Sequence, residues 1–97
     1  VTDATTDPMP EPYPPGIDEL QMVRKVAGRE VGMRKRVYPR WVKDGRMTPT
    51  TAEYEQRGMG MALGLARGLL ELWPQLSAIQ QHDLRVAMNA GASEARQ

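Results

Sequence analysis

The five residues from Asp44 to Thr48 constrain the fold most, because they separate two long stretches of helical periodicity. Gly45 can enter the left-handed conformation that ends a helix without steric cost. Thr48-Pro49 then offers a hydroxyl to the unpaired amides of a new helix, followed by a proline at a position where no amide is needed. A stop and a start this close together predict two helices folded back as a hairpin. Their expected spans are about 19–43 and 49–72, with Asp18 as the cap of the first.

On the first helix, Leu20, Val23, Val26, Ala27, Met33, Val37 and Trp41 share one broad face at 100° per residue. Pro39 lies inside this pattern and cannot donate to the carbonyl of Lys35. The apolar phase continues through Trp41 and Val42, so a kink is expected rather than a stop. On the second helix the inward stripe is Ala52, Met59, Ala62, Leu63, Ala66, Leu69, Leu70 and Trp73. Tyr54, Met61, Leu65 and Leu72 form a second apolar line, expected to widen the buried arc. Gly60, Gly64 and Gly68 recur every four residues and make a smooth groove that could admit another helix.

Pro74 breaks the second pattern, and a third helix is expected to open at Pro74 or Gln75. Its inward face is Leu76, Ile79, Val86, Ala87 and Ala90, interrupted by Asp83. It is expected to fray by Gly91 and leave 92–97 loose. Residues 1–17 carry five prolines, which exclude a helix and favour extended chain. They read as a disordered acidic arm ahead of a helical domain at 18–91. The fold class is therefore all-α: an antiparallel helical hairpin with a third short helix. No hairpin signal of the β kind is present.

Composition limits the core. The chain of 97 residues has no phenylalanine and seven methionines, so its packing is thin and adaptable. A partner or self-association is expected to supplement it. Cysteine is absent, which excludes disulfides and cysteine metal sites and fits a reducing compartment. No signal peptide is visible, and the run 59–73 is too short and too charged, through Arg67 and Glu71, to cross a membrane. A cytoplasmic location is expected.

Charge is strongly segregated although the net value is only +1. Residues 1–20 hold five acids and no bases. Residues 21–46 hold nine bases against Glu30 and Asp44, a local excess of seven. Lys25, Arg29, Arg36, Arg40 and Lys43 fall within about 60° of one another on one flank of the first helix. Lys35 and Arg46 add to the same segment. A cationic helix face can neutralise phosphates, and Tyr38 and Trp41 offer rings for stacking, although Trp41 lies on the apolar face. Nucleic acid, an acidic protein surface and a merely solvated face all remain open. The acidic arm could also cover the stripe until a partner displaces it.

Glu30 and Arg34 lie at i, i+4 in the acid-first order, in the middle of the apolar face. Glu55 interrupts the facing stripe of the second helix, so Glu30, Arg34 and Glu55 are expected to form a structural ion pair across the hairpin. Chemistry has little to work with. His82 is the one histidine and has no second ligand at metal spacing. Ser77 and Ser93 sit in no nucleophile motif, and the glycines match no phosphate loop. No enzyme, cofactor or metal is expected.

The central segment resembles a family of small phage and prophage proteins of unassigned function. The residues that carry the resemblance are Arg29, Glu30, Val31, Met33, Arg34, Arg36, Val37, Tyr38, Pro39, Trp41, Val42, Gly45, Met47 and Thr48. Ala52, Glu55 and Met59 follow at helical spacing. The resemblance covers about a third of the chain and implies a viral accessory role in the host cytoplasm, with no catalytic residues. Three functions fit: binding nucleic acid or a nucleoprotein complex, inhibiting a host defence or transcription complex by protein contact, or acting as a homo-oligomeric structural component.

Overall fold

A computed structural model describes residues 17–96. The expected acidic arm, apart from Ile17, lies outside the described residues. The protein is all-α, with no strand among the described residues. Helix α1 spans Ile17–Lys43 and α2 spans Pro49–Leu72; a single 3-10 turn at Trp73–Gln75 leads to α3, Ala78–Ala95. Helices α1 and α2 form an antiparallel hairpin.

The connection between them follows from local chemistry. Gly45 adopts φ +77°. Its amide donates to the Val42 carbonyl at 3.1 Å, and the Arg46 amide donates to Trp41 at 2.9 Å. These two bonds are the Schellman arrangement, which satisfies carbonyls that the helix end would otherwise strand. Thr48 caps α2, its hydroxyl accepting from the Thr51 amide at 3.1 Å. Asp18, expected as the cap of α1, lies inside the first turn, where its carboxylate accepts from the Glu19 amide at 2.9 Å. Pro39 is accommodated within α1, which continues past it.

The core is small: Leu20 and Ala27 from α1, Leu63 and Ala66 from α2, and Trp73 at their junction with the 3-10 turn. The inward face of α1 is rotated by roughly 50° from the sequence expectation, toward Val31, Tyr38 and Val42. Val23, Val26 and Met33 are consequently exposed. The expected second apolar line of α2 does not join the core either. Tyr54, Met61, Leu65 and Leu72 are 75%, 60%, 65% and 49% exposed. An α-helix packed on one neighbour buries a single arc, and α1 takes the arc centred on Leu63 and Ala66.

The third helix departs furthest from expectation. Pro74 belongs to the 3-10 turn, and α3 is opened by Ser77 through a capping box. The Ser77 hydroxyl accepts from the Gln80 amide at 3.1 Å, and the Gln80 side chain accepts from the Ser77 amide at 2.9 Å. With that start satisfied, α3 continues through Gly91 to Ala95, so that residues 92–95, expected to be loose, are helical. Its inward side is Gln81, Leu84 and Met88, opposite the expected face; Ile79 and Val86 point outward. Gln81 fixes this rotation, donating to the Trp73 carbonyl at 2.8 Å and the Leu76 carbonyl at 3.4 Å. Leu84 and Met88 then close one side of an apolar cavity of about 190 Å³ shared with Leu20 and Val23 of α1 and Leu65 and Leu69 of α2.

Candidate nucleic-acid interface

The cationic residues sit on the helix that also supplies half the hairpin, so their direction is set by what α1 buries. Leu20, Ala27, Val31 and Tyr38 face inward. At 100° per residue the opposite flank carries Lys25, Arg29, Arg36, Arg40 and Lys43. All five are exposed. They extend over 18 residue steps, roughly 27 Å along the axis. Among the described residues, no carboxylate comes within 4.0 Å of any of them. Gly32 falls in the middle of the row, where a Cβ would meet nothing within 4 Å and the Arg36 Nη1 donates to the Gly32 carbonyl at 3.5 Å. Asp18 stands at the far end of the row, about 10 Å before Lys25. Methionines and a valine form one edge of the row: Met22, Val26 and Met33 are all exposed.

Lys35 and Arg46 are not part of this alignment. Lys35 lies on the flank toward α2, beside an open cleft of about 570 Å³ that Tyr38, Pro39, Pro49 and Glu53 also line. Arg46 belongs to the turn and is exposed there. The alignment of cations is therefore five residues long.

Arg34 has a different task. Its Nε donates to Glu30 at 2.9 Å, and its Nη1 donates to the Glu55 backbone carbonyl at 3.1 Å. The Glu55 carboxylate is farther, at 3.9 Å. The guanidinium also lies over the Tyr38 ring, 5.6 Å from its centre. The hydrogen bond to Glu30, more than any other influence, raises the Arg34 pKa above its ordinary high value. Arg34 thus stays charged at any physiological pH and ties α1 to α2. A second polar tie, not apparent in the sequence, is Gln56, whose side chain donates to the Val31 carbonyl at 3.0 Å.

The two aromatic residues of α1 are turned inward. Tyr38 and Trp41 are half-buried and lean on each other, with ring centres 5.7 Å apart and planes tilted by 30°. With Arg34 over the Tyr38 ring as well, neither residue offers the open platform that base stacking requires.

The remaining candidates are dispersed. His82 is exposed on α3, and Ser77 uses its hydroxyl as a cap. No group of three His, Asp or Glu side chains converges among the described residues. Among the described residues, no helix packs on Gly60, Gly64 and Gly68: a Cβ at each would meet nothing within 4 Å. The one glycine near a neighbouring helix is Gly28, where a Cβ would lie 3.8 Å from Leu63. No helix among the described residues is long and apolar enough to cross a membrane.

The chain matches no protein-family model, no curated protein and no solved structure. A functional reading therefore rests on the residues themselves.

Proposed function

We propose that this protein binds nucleic acid, or a nucleoprotein complex, through the phosphate backbone, using the exposed flank of α1. The observation that carries the reading is the row Lys25, Arg29, Arg36, Arg40 and Lys43, aligned on the side of α1 turned away from α2. Five exposed cations over about 27 Å can each neutralise a phosphate along a duplex backbone. With the rings of Tyr38 and Trp41 turned inward, the expected binding is weakly sequence-specific. On the strength of the resemblance in residues 29–59, the reading extends to a viral accessory protein acting in a host cytoplasm.

Binding of a labelled 20-base-pair duplex and of a single-stranded RNA, measured by anisotropy across a salt series, tests the proposal. Displacement of five counterions gives a slope of roughly −4.5 in log K against log salt for the duplex. A flat response, or no binding at low salt, removes it.

One observation favours a second reading. Met22, Val26 and Met33 stand exposed along the edge of the stripe. Phosphates gain nothing from such neighbours, whereas an acidic protein surface with an apolar margin does. On this reading the protein inhibits a host complex by direct contact. A pull-down from nuclease-treated host lysate separates the two, since only the second survives removal of nucleic acid.

A further inference from the structure

The side of α2 that faces away from α1 has its own pattern. Tyr54, Gly58, Met61, Leu65, Gly68 and Leu72 follow at steps of four, three, four, three and four. This is the register of a coiled-coil seam, and none of its six positions, spread over 19 residues, is charged. It is centred roughly 135° from the buried face of Leu63, Ala66 and Trp73. Tyr54, Met61 and Leu65 are 60% or more exposed and Leu72 about half, and Leu65 also borders the cavity closed by Leu84 and Met88. Nothing within 4 Å would obstruct a Cβ at Gly58, Gly64 or Gly68, so a second helix could approach closely there.

We infer that this face of α2 is the contact through which two copies of the chain form an antiparallel, two-fold symmetric pair. The register is self-complementary. With the axis near Leu63 and Gly64, Tyr54 meets the partner's Leu72, Met61 meets the partner's Leu65, and Gly58 meets the partner's Gly68. Every layer then joins one residue of each alternating set, as antiparallel coiled coils require. The two glycine layers let the backbones close in, and the large side chains fill the layers between them.

The flanking charges select the same orientation. Arg57 and Glu71 border one edge of the seam and are both exposed. They are 14 residues apart on one helix, roughly 21 Å, and cannot meet within it. The two-fold brings Arg57 opposite the partner's Glu71, and the reverse, so both pairs close. A parallel pairing would set like charges at the same height. Each has an opposite charge one turn away on its own helix, Glu53 and Arg67, but neither contact falls within 4.0 Å. The inference does not rest on the cationic stripe of α1, which lies on the other helix.

Sedimentation of the full 97-residue chain, freed of nucleic acid, tests it over about 5 to 500 µM, a range that captures association at the affinity expected of a seam this short. The expected result is a monomer–dimer equilibrium. Met61→Glu should weaken it by about tenfold or more, since a charge is then buried in the central layer, while Met61 lies outside the cavity closed by Leu84 and Met88. Arg57→Glu and Glu71→Arg should each weaken it about threefold to tenfold, and the two combined should restore it. Circular dichroism of each variant checks that helix content is kept. A chain that stays monomeric at the highest concentration overturns the inference. A dimer indifferent to Met61→Glu moves the contact off this face and also overturns it. Charge reversals that fail to compensate overturn the antiparallel register.

Discussion

The two helices of the hairpin lean on each other through similar inner faces, yet their outer faces could hardly differ more. The outside of α1 carries five exposed cations in a row. The outside of α2 carries six uncharged residues in a row, four of them large and apolar. Among the described residues only five hydrophobic side chains are buried, and their packing explains neither surface. A cationic face is soluble alone and gains from a polyanion. An apolar face of this length is costly in water and gains from being covered. The comparison teaches that one hairpin can present two separate contacts, one read by charge and one by shape, without either disturbing the other.

The most severe way to break the comparison is to remove what the two faces share. Trp73 is 3% exposed and closes the hairpin end. Trp73→Ala should cost about 3–5 kcal/mol, enough to unfold so small a core, and both contacts should vanish together. Urea unfolding followed by circular dichroism reads the loss. Next, replacing Lys25, Arg29, Arg36, Arg40 and Lys43 by glutamine should reduce duplex affinity by about 100-fold at low salt while leaving self-association unchanged. Loss of both properties in that variant would show that the faces are coupled.

A smaller effect sharpens the picture of how the faces are held apart. Arg34→Met removes the bonds to Glu30 and to the Glu55 carbonyl, and leaves both outer faces intact. Its side chain is only 16% exposed, so the expected loss is about 1–2 kcal/mol, read as a lower urea midpoint. Thr48→Ala, which strips the cap of α2, should cost about 1 kcal/mol. The smallest effect is expected at Ile79, which is 73% exposed on α3. Ile79→Ser should stay within about 0.5 kcal/mol, whereas Leu84→Ala on the opposite side should cost measurably more.

The hairpin was legible because its signals are local. Gly45 needs a left-handed residue and Thr48-Pro49 needs nothing beyond the next turn, so no tertiary knowledge was required. The Glu30–Arg34 pair was legible for the same reason, being one helical turn apart. What the sequence could not show was how many neighbours each helix has. Tyr54, Met61 and Leu72 look like core if a helix covers that side of α2 and like surface if none does. The phase of α3 was misjudged because Ile79 and Val86 outrank Leu84 and Met88 on apolar content of the face as a whole. The deciding group is polar: Gln81, bonded to two carbonyls of the preceding turn, fixes the rotation of α3. The cationic row was legible from spacing alone, since charged flanks need only solvent. The separation of Lys35 from that row follows from the rotated inner face of α1.

A helix with no buried residue has little to hold it closed. No side chain of α3 is fully enclosed, and its attachments are the Gln81 bonds, the side of the cavity at Leu84 and Met88, and a long 3.4 Å contact from Asn89 to Glu19. In amide hydrogen exchange its backbone should open and label well before the hairpin does. Proteases would find their first cut there, leaving α1 and α2 as the resistant fragment.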